Sequence, residues 1–172
     1  AKLSHSKYSY NLISKILLQI RMWHHFNFLE KNCTSLIQLI NEKKKFVYYP
    51  LHTEPEPQIL NNSPFFFFQE ALIALISRYL PSDHYLVVKE SLVGIGRRDL
   101  NFYKKLKRFK NVIIADPLDE GVNVIKNSKT VITIAGTAGT EASILGIPVI
   151  SLSPYNDYNI LNSVHYLNNL AE

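Results

Sequence analysis

The sequence contains one cysteine, Cys33, and this scarcity excludes both a disulfide framework and a zinc site built from cysteines. A lone thiol is typical of a reducing compartment, so we expect a cytoplasmic protein. No apolar run approaches the roughly 20 residues that a membrane-spanning helix needs. Any association with the membrane is therefore expected to be peripheral, at its inner face.

Familiar ligand-binding motifs are missing as well. The chain has neither the Gly-x-Gly-x-x-Gly spacing of a dinucleotide site nor the lysine-hydroxyl pair of a P-loop. It has no Asp-x-Asp sequence, and His24 and His25 lack a partner at metal-ligand spacing, so we expect no metal and no cofactor. No arginine-rich tract accompanies the net charge of +5, which favours a small anionic ligand over a nucleic acid partner.

The composition is globular, with 47% hydrophobic and 19% charged residues. Short apolar segments predict strands at 46–49, 85–89, 111–115, 130–134 and 148–152. Helical patterns alternate with them over 63–80 (Ser63 as the N-cap), 99–109, 120–126, 137–145 and 159–170, and residues 8–42 predict two more helices.

Several predicted strands are continuously apolar, which indicates a sheet that is covered on both faces. Their alternation with helices predicts a parallel sheet with right-handed crossovers. We therefore predict an α/β fold, a Rossmann-like three-layer domain over 46–172, with a helical segment, 1–45, packed on it. The helix faces expected to be buried contain Leu12, Ile16, Gln19 and Trp23; Leu36, Ile37 and Ile40; and Phe65, Phe68, Leu72, Leu75, Ile76 and Tyr79.

The most informative stretch runs from Gly136 to Glu141, between a predicted buried strand and a predicted helix. A glycine-bearing turn into a helix start directs free backbone N–H groups beyond the sheet edge, where a phosphate or carboxylate is favourable. We expect Thr137 to be the N-cap and Glu141, in the first helical turn, to bind a ribose hydroxyl. The alternatives are that Thr137 only caps, that Glu141 only complements the helix dipole, and that the glycines only ease the turn.

In an open parallel sheet, ligands bind beyond the carboxyl ends of the strands. His52 follows the first strand in a loop too polar for a core histidine, so ligand contact is one interpretation of it. Lys89 ends the second strand, as a ligand group or as a plain surface charge. Arg97 and Arg98 are more typical of solvated residues at a helix start, with pairing to a phosphate or carboxylate as the alternative.

Three segments in order resemble the capsule polysaccharide biosynthesis family, which includes bacterial Kdo transferases. Residues 48–56 resemble its PLHxxPE segment, and Val88-Lys89-Glu90 with the downstream Phe102-Tyr103 resembles its VKEHP…GxR…FY segment. Residues 136–149 resemble its GTxGxEAxxxGKPV segment. The resemblance covers about 46–152.

The resemblance implies the C-terminal, donor-binding half of a GT-B glycosyltransferase for bacterial surface or capsular polysaccharide. The donor would be a nucleotide-sugar, CMP-linked in a Kdo-type member, and the acceptor a carbohydrate held by an N-terminal domain that this chain lacks. The residues implied to bind the donor are Gly136, Thr137, Gly139, Thr140, Glu141, Lys89, Ser91 and Arg97, with His52 and Lys89 as catalytic candidates. Alone, this half is expected to be inactive.

One position departs from the family pattern. Ser91-Leu92 replaces the His-Pro that follows Lys-Glu, and serine cannot supply a titrating cation near neutral pH. Two other functions therefore stay open: half of a sugar-nucleotide epimerase or of a glycerophosphate-type transferase, and a non-catalytic scaffold module that has lost its chemistry.

Overall fold

The computed structural model describes residues 12–53 and 68–167. Its strands are β1 Lys45–Pro50, β2 His84–Lys89, β3 Val112–Ile114, β4 Thr130–Thr133, β5 Val149–Ser151 and β6 Val164–Tyr166. Its helices are α1 Leu12–Asn32, α2 Leu36–Asn41, α3 Gln69–Tyr79, α4 Leu100–Leu106, α5 Gly121–Asn127 and α6 Thr137–Ile144, with a 3-10 helix at Asp157–Ile160.

All six described strands lie in one parallel sheet with the order β3-β2-β1-β4-β5-β6. The chain steps outward from β1 to β3 and then returns to the other side of β1 with β4. Val47 of β1 accordingly faces Leu86 of β2 on one side and Thr130 of β4 on the other. The strand order reverses between β1 and β4, and this switch point is where open sheets of this kind bind ligands. The Rossmann-like fold predicted from the sequence is confirmed.

Apolar side chains fill the space on both faces of the sheet. Val47 and Tyr49 of β1 point into a core under α3 and α4, whereas Phe46 and Tyr48 point into a second core under α2, α5 and α6. Successive residues of a strand alternate between faces, so a strand that is buried on both sides must be apolar throughout. The three-layer architecture explains the continuous apolar runs of the sequence.

The helical segment packs differently from the prediction. Leu12, Ile16 and Trp23, expected to be buried, are exposed, and α1 contacts the domain through its carboxyl half, where His25 and Leu29 are buried. In α2 the buried residues are Leu36 and Leu39, not Ile37 and Ile40, which are exposed. The division of the chain at residue 45 stays a prediction.

The buried face of α3 also differs from the prediction. Leu72 is buried as predicted, but Phe68 and Tyr79 are more than 70% exposed, because the helix turns Gln69 and Ile73 toward the sheet beside Leu72. The predicted start of this helix at Ser63 lies outside the described residues.

The helix predicted over 159–170 is wrong as far as the structure describes it. A 3-10 helix ends at Ile160, and β6 then extends the sheet, pairing Val149 with Val164 and Ser151 with Tyr166. Asparagine and serine at 159, 162 and 163 are weak helix formers, whereas valine and tyrosine favour a strand against the open edge of β5.

Candidate functional site

The Gly136 corner, which we define as residues 134–140, joins β4 to α6 at the carboxyl edge of the sheet. Gly136 occupies the N-cap position with φ 96° and ψ −179°, a left-handed φ that favours glycine. The predicted N-cap role of Thr137 is therefore wrong, because Thr137 is the first helical residue. Gly136, Thr137 and Thr140 are exposed. The first-turn N–H groups, which have no acceptor within the helix, thus lie at an open edge.

Side chains from β4 and from the loop after β5 hold this corner from beneath. The Thr133 hydroxyl donates to the carbonyl of Ala135 at 2.8 Å. The Asn156 amide donates to the carbonyl of Ile134 at 2.9 Å and to the Ser151 hydroxyl at 2.9 Å. Because the carbonyls before the turn are bonded in this way, the turn has one fixed path between strand and helix.

Gly139 lies directly on the ring of Tyr158. A Cβ at position 139 would lie 2.3 Å from Cζ of Tyr158, so only glycine allows this approach. Burial raises the pKa of Tyr158 to about 12, and the Ser151 and Thr133 hydroxyls near it partly offset that rise. Gly139 is buried, so it offers a ligand at most its backbone N–H.

Glu141 falls in the second turn of α6 rather than in the first, because the helix begins at Thr137. Its side chain is half-buried, and its negative charge acts on the pKa of Tyr48 in β1. Burial first, and the charge of Glu141 second, raise the pKa of Tyr48 above its usual range. Glu141 therefore lies near the β1 side of the corner, toward the switch point.

His52 lies at the switch point and meets the Gly136 corner. Its Cε1 is 3.9 Å from the position that a Cβ on Gly136 would take, and its Nε2 accepts from the N–H of Ile134 at 3.4 Å. The Thr133 hydroxyl lies 3.4 Å from the same nitrogen. The polar loop around His52 predicted a position outside the core, yet His52 is only 8% exposed. That expectation is wrong, because backbone and hydroxyl groups supply the polar partners that the ring needs.

The backbone of His52 is held by the side chain of Gln69 at the start of α3. The His52 N–H donates to Oε1 of Gln69 at 2.9 Å, and Nε2 of Gln69 donates to the His52 carbonyl at 2.9 Å. The Tyr49 hydroxyl also donates to this Oε1, at 3.3 Å. The amide of Gln69, which is fully buried, therefore bonds both polar groups of one residue.

A buried ion pair lies behind this amide. Nη2 of Arg98 donates to the same His52 carbonyl, and Nε of Arg98 lies 3.1 Å from a carboxylate oxygen of Glu90. The Tyr103 hydroxyl donates to that oxygen at 2.7 Å. The expectation that Arg98 is solvated is wrong, since Arg98 is 6% and Glu90 1% exposed, while Arg97 is exposed as expected. The ion pair with the carboxylate of Glu90 stabilises Arg98 in this buried position.

Lys89 and Ser91 lie farther from the corner. Lys89 ends β2, two strand spacings or about 10 Å from β4. Its Nζ donates to the carbonyl of Pro117 after β3, on the side away from the corner. Burial lowers the pKa of Lys89, and nearby acids, Asp119 first, oppose the change. The Ser91 hydroxyl accepts the N–H of Gly94, a turn contact.

Gln69, Asn156 and Glu90 were not predicted as site residues from the sequence, and for Arg98 pairing to a phosphate or carboxylate was only the alternative. For Gln69 a signal existed, because it is a polar residue on the buried face that also contains Leu72, Ile73 and Ser77. The other contacts form only through the fold, and spacing alone cannot reveal them. Within residues 12–53 and 68–167 no group of three or more His, Cys, Asp or Glu could hold a metal ion.

Comparisons with known proteins agree on the fold. A family model described as a protein of unknown function (DUF354) matches residues 88–169. No curated protein matches the sequence. Two solved structures of Thermosulfurimonas dismutans KpsC are similar: the beta Kdo 2,7 transferase, with TM-score 0.56 and 19% identity over 87% of this chain and 47% of that one, and the beta Kdo 2,4 transferase, with TM-score 0.57 and 13% identity over 90% and 50%.

A UDP-GlcNAc 2-epimerase from Methanocaldococcus jannaschii is similar as well, with TM-score 0.55 and 20% identity over 74% of this chain and 36% of that one. At such identities the likeness shows the shared Rossmann-like α/β fold of glycosyltransferases and epimerases. The chain spans half or less of the length of these three structures. No helix in the described parts of the chain is both long and apolar enough to cross a membrane.

Proposed function

We propose that this chain is the nucleotide-binding half of an enzyme that acts on sugar nucleotides, and that the nucleotide phosphate binds at the Gly136 corner. The observation that carries the proposal is the position of this corner: an exposed helix start, entered through Gly136, at the switch point of a Rossmann-like sheet. N–H groups there favour a phosphate because their partial positive charges converge on it. The similar fold of transferases and an epimerase supports the same class of ligand.

The reaction that we propose first is glycosyl transfer for bacterial surface polysaccharide, with a donor such as CMP-Kdo. When the glycosidic bond to the donor breaks, negative charge develops on the leaving phosphate, and preorganised N–H groups stabilise it. Arg97 is exposed, whereas the amine of Lys89 is directed to the carbonyl of Pro117. We therefore propose that the N–H groups of the Gly136 corner contribute most of the stabilisation of the leaving phosphate. Lys89 contributes less than the resemblance implies.

The acceptor and the remaining catalytic groups are assigned to an N-terminal domain outside this chain, so this half alone is expected to be inactive. We also propose a cytoplasmic location with peripheral contact to the inner face of the membrane, which the lone thiol of Cys33 and the net charge of +5 support. An epimerase half is the second candidate, because one of the similar structures is an epimerase. A product assay on the full-length protein separates the two, and a folded protein without either activity would favour the scaffold module.

A matched pair of variants tests the binding site. Thr137→Pro removes the first helical N–H, a donor with no partner within the helix, and proline is well tolerated at this position. Thr137→Ala removes the same side chain and keeps the N–H. By calorimetry with CMP, CDP and UDP we expect at least one nucleotide to bind, and Thr137→Pro to weaken that affinity by at least about tenfold, since a hydrogen bond to a charged group contributes about 1.5–3 kcal/mol. Thr137→Ala should change it about twofold at most.

Two results would contradict the proposal. In the first, none of the three nucleotides binds at millimolar concentration to protein that circular dichroism shows to be folded. In the second, a nucleotide binds but Thr137→Pro and Thr137→Ala have equal affinity, which places the site elsewhere.

A further inference from the structure

Both polar groups of the His52 backbone form hydrogen bonds with buried side chains. Gln69 bonds both the N–H and the carbonyl of His52 at 2.9 Å, and Arg98 donates to that carbonyl as well. Both side chains are buried, with Gln69 at 0% and Arg98 at 6% exposure. They come from the start of α3 and from the turn before α4, so two separate elements converge on one peptide.

This arrangement is costly to build. A buried amide or guanidinium loses its hydration, and the ion pair of Arg98 with Glu90, together with the hydrogen bonds to His52, offsets part of that loss. Apolar side chains of similar size would stabilise the same space at least as well. The contribution of such a network is therefore better sought in the conformation that it specifies than in stability.

The conformation that it specifies is the position of the His52 ring. With the peptide of His52 fixed, the ring lies beside Gly136, and its Nε2 accepts from the N–H of Ile134, just before the corner. The ring thereby borders the turn through which α6 begins. A shift of the His52 peptide would move the ring off the corner or into it.

We propose that Gln69 and Arg98 are positioning residues, which we call the His52 clamp, and that the clamp fixes the His52 ring against the Gly136 corner for nucleotide binding. This inference rests on the proposed function for its ligand. The clamp acts through His52 and does not itself touch the nucleotide. It links α3, α4 and the end of β2 to the switch point, and Glu90 holds Arg98 in place.

The test compares Gln69→Leu with Tyr103→Phe. Gln69→Leu keeps the approximate size of the side chain and removes both hydrogen bonds to His52. Tyr103→Phe removes one buried hydrogen bond to Glu90 in the same network and no contact with His52. Three quantities are measured for each variant and for the parent chain: the affinity for CMP, CDP and UDP, the hydrogen-exchange rate of the His52 amide, and the NMR chemical shifts of the His52 ring protons.

For Gln69→Leu we expect the His52 amide to exchange at least tenfold faster, the chemical shifts of the His52 ring protons to change, and nucleotide affinity to fall about tenfold. Tyr103→Phe should leave the exchange rate and the affinity within about twofold and the ring shifts unchanged. Arg98→Lys, which keeps a charge beside Glu90 but loses the planar fork, should give changes in the same direction as Gln69→Leu.

Equal effects of Gln69→Leu and Tyr103→Phe would overturn the clamp and leave a merely structural network. If the parent chain binds none of the nucleotides, the proposed function fails, and the two His52 measurements still decide the clamp. Ring chemical shifts and an amide exchange rate that change in Gln69→Leu and not in Tyr103→Phe would support it. Unchanged values in both variants would refute it. Should Gln69→Leu not fold, Arg98→Lys is read against the same control.

Discussion

Gly139 shows how one residue can serve packing at the edge of a binding site. Its Cα faces the Tyr158 ring so closely that a Cβ would overlap Cζ. The family-like segment therefore contains glycine here for contact between α6 and the 3-10 helix, while Gly136 is glycine for its backbone angle. The two glycines of this segment are therefore required for different physical reasons, one for close packing and one for its backbone angle.

We predict that Gly139→Ala destabilises the fold by about 1–3 kcal/mol, because the methyl group must displace a buried ring. Gly121→Ala is the control, since a Cβ there meets no atom nearer than 4.0 Å at the start of α5. That substitution should be neutral or stabilising by up to about 1 kcal/mol. Denaturant unfolding measures both. Equal stability of the two variants would mean that α6 does not rest on Tyr158.

The thiol of Cys33 allows a prediction about pH. Burial, and the charge of Asp116 after it, raise the pKa of Cys33 from 9.0 to about 11. Because the folded state favours the protonated thiol, the stability from this group is complete below pH 9 and is lost as the pH rises from 9 to about 11. Thiolate absorbance should rise near pH 11 in the folded protein. A rise near 9 would show that Cys33 is freely hydrated.

At the scale of single residues, the sequence located the glycine-bearing turn at position 136 but not its geometry. The glycine-bearing turn was recognisable from its neighbours, a buried strand and a helix start. The cap assignment to Thr137 failed because a side-chain preference cannot report the left-handed φ that Gly136 adopts. The burial of Arg98 could not be predicted, since its partner Glu90 is eight positions away and meets it only through the fold.

Among the elements, α1 is stabilised unevenly along its length. Its carboxyl half buries Leu29 completely, whereas Ile16 in its amino half is 51% exposed. We predict that Leu29→Ala costs about 2–5 kcal/mol of unfolding free energy, through lost burial and a cavity. Ile16→Ala should stay within about 0.5 kcal/mol. Comparable losses, measured by denaturant unfolding, would show that the amino half of α1 is packed in solution.

The elements that the sequence predicted well are those with buried apolar runs. Strands β1, β2 and β4 lie within a residue of their predicted positions, because continuous apolar segments of this length have few alternatives in an α/β chain. The element that was predicted wrongly is β6, where a helix was expected. Its three residues form a strand through pairing with β5, and that pairing exists only once the sheet is assembled.

In the whole molecule, the strand order explains why residues far apart in sequence meet at one edge. His52 follows β1 and Gly136 follows β4. These strands are neighbours because the chain adds β2 and β3 on one side of β1 and then adds β4 on its other side. The sequence predicted this fold from strand–helix alternation, and the carboxyl-edge rule then grouped His52 with the corner. The rule could not show that Lys89 lies away from His52 and the Gly136 corner, because it does not give the order of the strands.

The most direct test of the central claim, that a nucleotide phosphate binds at the Gly136 corner, is a titration of the ¹⁵N-labelled chain with CMP, CDP and UDP, followed by NMR. The account predicts that the largest amide shifts occur at Gly136, Thr137 and Ala138, with smaller ones at His52. Shifts confined to other edges of the sheet, or none from a folded sample at millimolar nucleotide, would contradict it.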